Sequence, residues 1–281
     1  MSEVVVNFGP EQGLVGTLSI PTQVAPRGIG FILLNAGVIS RMGPHRFNVK
    51  LARHLASLGF ACLRFDLAGQ GDSQANGGAQ SYEQQVMLDL RAAVDHLTEQ
   101  TGVRHVAIAG ICSGAVAAHT YAQQDDRVMA CWMYDGYAYS TRLAVFMRMA
   151  KQLRHQPWLT LKTWLQRIKE RLAPPALAEK TEENVDFGSH NPDKRTYAEA
   201  LLRMHERGVR LFMMFSSDIL WYYSYQNQFR DAFKGWAFAD AVRVQYLPDV
   251  DHTITTLAWQ QRVISDIGDW AVTLPTARAN G

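Results

Sequence analysis

Short apolar runs alternate with longer segments of helical periodicity along most of the chain. The runs have the length and the turn-residue bounds of strands, and several are apolar at nearly every position, which is typical of strands buried on both faces. Between them, apolar residues recur at three- and four-residue spacing, as in amphipathic helices. The predicted strands are 4–8, 14–20, 28–34, 61–67, 106–109, 128–134, 211–215 and 242–247.

This alternation predicts the α/β fold class, because a helix between two strands makes a right-handed crossover to a parallel neighbour. Helices should cover both faces of a mostly parallel sheet, and the first two strands should form an antiparallel hairpin. Residues 141–205 differ, since prolines interrupt short helical stretches and no strand pattern occurs. We therefore predict a core in two parts, 1–140 and 206–281, with a helical cap insertion at 141–205.

Composition limits the function classes. The chain has 281 residues, 47% of them hydrophobic, and a net charge of +2, so it can bury a large core and gives no reason to expect nucleic acid as a partner. No basic and apolar leader and no apolar run of about 18 residues is present, which predicts a cytoplasmic protein without a transmembrane segment. Three cysteines are too few for a disulfide framework, and their spacing predicts no metal site.

One stretch carries a specific chemical signal. An apolar strand pattern enters Gly110-Ile111-Cys112-Ser113-Gly114, and small residues with helical character leave it. Glycines two residues before and after the centre allow a sharp strand-to-helix turn without collisions. The pattern resembles the nucleophile elbow of the α/β-hydrolase superfamily, with Cys112 where serine is usual. Residues 66–73, Asp-Leu-Ala-Gly-Gln-Gly-Asp-Ser, are similar to a loop that many α/β-hydrolases carry after the fourth strand.

The resemblance implies a helical cap, an α/β-hydrolase fold without a cofactor, and catalytic residues in the order nucleophile, acid, histidine. Cys112, Asp218 and His252 each follow a predicted strand in that order. Asp218 is preferred as the acid, and Asp135, which follows the preceding strand, is the alternative. Nucleophilic acyl transfer needs this combination of nucleophile, base and orienting group.

Backbone N–H groups of Ser113 and of the loop at 36–38, with Gly37 preferred, are expected to form the oxyanion hole. The loop from 35 to 45 should border the site, because it follows a central strand. Aromatic residues after two later strands should add to the wall of the pocket. The candidate substrate-binding residues are Asn35, Val38, Arg41, His45, Tyr137, Trp221 and Tyr222.

Cysteine as nucleophile changes the expected chemistry. A thiol at a helix N-terminus beside a histidine favours the thiolate, and the acyl intermediate would be a thioester. Dienelactone hydrolases are a cysteine-bearing branch of the superfamily, which implies an ester or lactone substrate. The chain is also similar to bacterial hydrolases associated with exosortase systems and biosynthetic gene clusters. The segments that carry this similarity are Leu-Asn-Ala-Gly, Gly-Pro-His-Arg, Gly-Ile-Cys-Ser-Gly-Ala and Asp-Gly-Tyr-Ala-Tyr.

Positive charge is concentrated in the predicted cap. Residues 141–173 contain eight basic residues and one acidic residue, so this segment is +7 and the remainder of the chain is −5. Interleaved apolar residues predict amphipathic helices with an apolar underside over the pocket and a solvated basic face. The same charge would also suit an acidic carrier protein, a coenzyme A thioester or an anionic membrane surface.

Three hypotheses follow for the function. The first is an acyl hydrolase that acts on an ester, thioester or lactone of a small molecule through a covalent thioester on Cys112. The second is an acyltransferase, in which an amine, alcohol or thiol replaces water. The third is a non-catalytic scaffold, which has no physical need for an acid and a histidine at matching strand ends.

Overall fold

The computed structural model describes residues 1–75, 77–155, 191–217 and 223–275. Its strands are β1 (Ser2–Phe8), β2 (Leu14–Ile20), β3 (Ile29–Leu34), β4 (Ala61–Phe65), β5 (His105–Ile111), β6 (Val128–Tyr134), β7 (Arg210–Ser216) and β8 (Arg243–Leu247). Its α-helices are α1 (Phe47–Ser57), α2 (Tyr82–Thr101), α3 (Ser113–Ala122), α4 (Arg142–His155), α5 (Lys194–Glu206), α6 (Gln228–Ala232) and α7 (Leu257–Ala271). Short 3-10 turns lie at Pro10–Gln12 and Pro44–Arg46.

The strands form one sheet in the order β1-β2-β4-β3-β5-β6-β7-β8. β1 pairs antiparallel with β2, β2 pairs antiparallel with β4, and the other neighbours are parallel. The predicted fold class is confirmed: the sheet is mostly parallel, and the hairpin forms its antiparallel edge.

Side chains of the central strands alternate between two apolar layers. In β3, Phe31 and Leu33 pack with α1 and α7 on one face, whereas Ile32 and Leu34 pack with α2, α3 and α5 on the other. Every residue of β3 is buried. This two-sided burial is the reason that the strand is apolar at every position rather than at every second one.

The predicted cap range is only partly described. α4 begins it and exposes Leu143 and Phe146, and residues 156–190, with most of the basic segment, lie outside the described residues. α5 also falls within the range 141–205, but its inner face, including Tyr197 and Leu201, is buried in the core. The chain therefore rejoins the core before residue 205.

None of the helices in the described ranges is long and apolar enough to cross a membrane. In the same part of the chain, no group of histidine, cysteine and carboxylate side chains has the arrangement of a metal site.

The elbow (residues 110–114) joins β5 to α3 through a close approach of backbone atoms. A Cβ on Gly110 would lie 2.2 Å from the carbonyl oxygen of Gly114, and a Cβ on Gly114 would lie 2.7 Å from the carbonyl oxygen of Asn35. Both contacts are with backbone, which cannot turn away as a side chain can. Glycine is required at both positions for steric reasons.

We expect Gly110→Ala to lower the free energy of unfolding by at least about 3 kcal/mol, because β5 and α3 must separate to admit the methyl group. Gly77→Ala is a suitable control, since its Cβ would meet no atom within 4 Å. Urea unfolding followed by circular dichroism measures both variants. Equal stability of the two would contradict this account of the elbow.

Candidate active site

Cys112 lies between β5 and α3 at the carboxyl edge of the sheet. Its backbone has φ 53° and ψ −116°, a conformation that L-residues rarely adopt, and its N–H donates to the carbonyl oxygen of Tyr134 at 2.8 Å. The residue is half-buried, whereas Cys62 and Cys131 are fully buried. Burial raises the pKa of both buried thiols. Cys112 is thus the one cysteine that a reagent in solvent can reach.

His252 lies in the loop that follows β8. The residues two before and two after it, Val250 and Ile254, are buried and fix the course of the loop. The Tyr134 hydroxyl donates to the carbonyl oxygen of Asp251 at 2.7 Å, and the Asp251 carboxylate accepts two backbone N–H groups of the same turn at 3.0 Å. The imidazole is therefore held at the end of β6, where Tyr134 is located.

Asp135 is the carboxylate that contacts this imidazole. Its Oδ2 lies 2.8 Å from His252 Nδ1, and its side chain is fully buried. The sequence favours Asp218 for this position, with Asp135 as the alternative; the structure brings the alternative to His252, and Asp218 lies outside the described residues. β6 and β7 are neighbours that end at the same edge of the sheet, so the pattern of strands alone does not separate the two acids.

The surroundings of His252 favour its protonated form. Burial acts to lower the pKa of the imidazole, but hydrogen bonds to Asp135 and Cys112, together with their negative charge, raise it to about 9. Since Nδ1 faces Asp135, Nε2 is the nitrogen available to Cys112. The arrangement suits proton transfer at Nε2, on the side of the imidazole that faces Cys112.

The loop after β3 approaches the elbow from the other side. Gly37 has φ +50°, and its N–H donates to the Ser113 hydroxyl at 2.7 Å. The predicted oxyanion-hole residues are therefore adjacent. In this structure the Gly37 N–H is occupied by the hydroxyl, so an oxyanion that uses it must displace that hydroxyl.

Two hydrogen-bonded clusters hold this loop in place. The Asn35 side chain accepts from the Asn48 amide at 2.5 Å. Arg41 contacts the buried Asp66 carboxylate through both its backbone N–H and its guanidinium, which also lies 2.8 Å from Asp72. Asn35 and Arg41, predicted to bind substrate, are thus already engaged by the protein, and a direct role with substrate stays a prediction.

The other predicted substrate-binding residues differ in environment. His45 is exposed on the turn before α1, and Val38 is 74% exposed. The Tyr137 ring packs edge-on against His119 and Tyr197, with centroids 5.7 and 5.4 Å apart. Trp221 and Tyr222 lie outside the described residues.

Sequence reasoning misses the residues that support the acid. Ser216, the last residue of β7, is fully buried and donates both its N–H and its hydroxyl to Asp135. A serine before a turn has no distinctive sequence signal, because such residues are common in loops. Tyr134 is likewise indistinguishable in sequence from the other apolar residues of β6.

Comparison with known proteins identifies the family and the fold of the chain. Residues 31–216 match the family model described as serine aminopeptidase, S33. A search of curated proteins found no match.

Three similar solved structures have low sequence identity over nearly the whole chain. The esterase Pf2001 of Pyrococcus furiosus is 14% identical, with 96% of this chain and 90% of that chain covered and a TM-score of 0.57. The mouse α/β-hydrolase domain-containing protein 10 is 16% identical, with coverage of 97% and 100% and a TM-score of 0.55. An esterase domain from a Rhodothermus marinus protein is 18% identical, with coverage of 96% and 98% and a TM-score of 0.53. At these identities the likeness shows the fold.

The raised pKa of His252 predicts a pH-dependent stability. Between the ordinary value of 6.5 and about 9, the folded protein holds a proton that the unfolded chain releases. The contribution of His252 protonation to the free energy of unfolding is complete below pH 6.5 and is lost as pH rises through 9. It falls by at most about 1.4 kcal/mol per pH unit. When urea unfolding is measured across this pH range, the free energy of unfolding should change less steeply with pH in His252→Gln than in the parent. The same pH dependence in both proteins would contradict the assignment.

Proposed function

The chain belongs to the serine aminopeptidase S33 family of α/β-hydrolases, and from this membership together with the site we propose an acyl hydrolase with Cys112 as its nucleophile. The substrate class is an ester, thioester or lactone. The observation that carries the proposal is the hydrogen bond between Asp135 and His252, together with a half-buried Cys112 at the elbow that raises the pKa of the same imidazole. Two of the similar structures are esterases, which agrees with this substrate class.

In the proposed first half-reaction, the Cys112 thiolate attacks the carbonyl carbon, and the carbonyl electron pair moves to oxygen. The N–H groups of Ser113 and Gly37 stabilise that oxyanion, the latter after it releases the Ser113 hydroxyl. The intermediate collapses to a thioester, and the leaving group takes the proton of His252 Nε2. Asp135 keeps Nδ1 protonated throughout, so that Nε2 is always the nitrogen that transfers the proton.

In the proposed second half-reaction, neutral His252 takes a proton from water as the water oxygen attacks the thioester. The bond to Cys112 Sγ breaks, the acid is released, and the thiolate–imidazolium pair is restored. A thioester also reacts readily with amines and thiols, so an acceptor bound beside Cys112 would turn the same site into an acyltransferase. The role of the basic segment at 141–173 with a carrier protein or coenzyme A stays a prediction.

Intact-protein mass spectrometry with p-nitrophenyl esters and acyl thioesters tests the covalent step. We expect an acyl adduct on the parent protein and none on Cys112→Ala. Water alone should discharge the adduct of a hydrolase, whereas an adduct that persists until hydroxylamine or an amine is added would support the acyltransferase. Absence of an adduct with every donor, and equal turnover by Cys112→Ala, would favour the scaffold hypothesis.

Cys112→Ser should remain active, but its turnover should be at least about tenfold lower than that of the parent, because a hydroxyl is a much weaker acid than a thiol. The activities of the two proteins should change in opposite directions as pH rises. The parent uses the imidazolium and loses activity as pH rises through about 9, whereas the serine variant needs neutral His252 as a base and gains activity with rising pH. Ester hydrolysis measured from pH 6 to pH 10 decides this, and equal rates with parallel profiles would remove the argument for a thiolate.

Asp135→Asn separates the two candidate acids. The amide cannot support the imidazolium, and we expect the rate of ester hydrolysis to fall at least about 100-fold. Asp218→Asn should change the rate less than about twofold, as expected for a substitution that leaves the site intact. Thermal unfolding of both variants checks that the fold is retained. The reverse order of effects would assign the acid to Asp218.

A further inference from the structure

The Asp135 carboxylate receives three hydrogen bonds, two of them from one residue. The Ser216 N–H donates to Oδ1 at 2.7 Å and the Ser216 hydroxyl donates to Oδ2 at 2.7 Å. His252 Nδ1 lies 2.8 Å from the same Oδ2. The serine hydroxyl and the imidazole therefore share one oxygen of the carboxylate.

The sheet fixes this contact rigidly. Ser216 ends β7 and is fully buried, and the Asp135 side chain has no exposed surface. The backbone N–H of Asp135 donates to the carbonyl oxygen of Met214 at 2.9 Å, which continues the pairing of β6 with β7 by one residue. Asp135 itself has φ 51°. The orientation of the carboxylate is thus fixed by two strands and not by a mobile loop.

We propose that Ser216 is a positioning residue for the reaction: its hydroxyl directs Oδ2 of Asp135 at His252 and takes part of the negative charge of that oxygen. This inference rests on the proposed function. Without the hydroxyl, the carboxylate keeps the Ser216 N–H on Oδ1 but can rotate about its bond to Cβ. The angle at which Oδ2 meets the imidazole is then no longer fixed, and Nε2 loses its alignment with Cys112.

The hydroxyl also affects how strongly Asp135 holds the proton of His252. A donor to Oδ2 withdraws charge that would otherwise stabilise the imidazolium. The titratable groups that face His252 are Asp135 and Cys112; the Tyr134 ring is 6.4 Å away, with its hydroxyl on the Asp251 carbonyl. Removal of the Ser216 hydroxyl should therefore move the alkaline limb of the activity profile to higher pH.

Ser216→Ala and Ser217→Ala form a matched pair on neighbouring residues of one strand end. With p-nitrophenyl butyrate, we expect Ser216→Ala to lower kcat at least about tenfold with KM within about twofold, as for a lost hydrogen bond to a charged group. Ser217→Ala should leave both constants within about twofold. Ser216→Thr keeps the hydroxyl and should recover most of kcat.

Alkylation of Cys112 by iodoacetamide supplies a readout that needs no substrate. The buried Cys62 and Cys131 will not compete, and mass spectrometry verifies the modified residue. The alkylation rate should change with pH in a step on the alkaline side. In Ser216→Ala alone, this step should lie at a higher pH than in the parent. A loss of activity with no shift of this step, or kcat and alkylation equal to those of Ser217→Ala, would overturn the positioning role.

The parent protein separates this inference from the proposed function. If the parent shows an acyl adduct but Ser216→Ala matches it in kcat and alkylation, only the role of Ser216 is wrong. If the parent forms no adduct and hydrolyses no ester, the proposed function fails, and the positioning role fails with it. Thermal unfolding of each variant shows whether a lost activity reflects a lost fold.

Discussion

The close backbone approach at the elbow is the constraint on which the remainder of the site depends. β5 is central in the sheet, and α3 can begin directly after it only because no Cβ occupies the space between Gly110 and Gly114. The same approach places the Asn35 carbonyl against Gly114. One steric condition therefore sets both the conformation of Cys112 and the distance between the elbow and the loop that carries Gly37.

The positions of the strands were predictable because each is a short apolar run between turn residues, and these positions place Cys112 and His252 after strands that end at the same edge of the sheet. The choice of acid was not predictable in the same way. Asp135 and Asp218 both follow strands that end at one edge, and only side-chain geometry shows that Asp135 reaches His252. The helix α5 illustrates a further limit, because prolines before it suggested a cap while its inner face packs in the core.

Two neighbouring residues at the end of β6 make most of the contacts that hold the candidate site together. Tyr134 and Asp135 are consecutive: one accepts the Cys112 N–H through its carbonyl and holds the histidine loop through its hydroxyl, and the other contacts the imidazole. The positions of Cys112, His252 and Asp135 thus all depend on the end of β6. Long-range contacts of this kind leave no periodicity in the sequence, which explains why residues such as Tyr134 and Ser216 were not recognised as part of the site.

The contact of Arg41 with Asp66 bears on how the protein responds to its medium. Asp66 has no exposed surface and Arg41 is only 16% exposed, whereas Asp72, the second partner of the guanidinium, is 69% exposed. Salt screens charges that face solvent and has little effect on those that do not. Added salt is therefore expected to weaken the contact of Arg41 with Asp72 and to leave its contact with Asp66, which holds the loop that carries Gly37, largely unchanged.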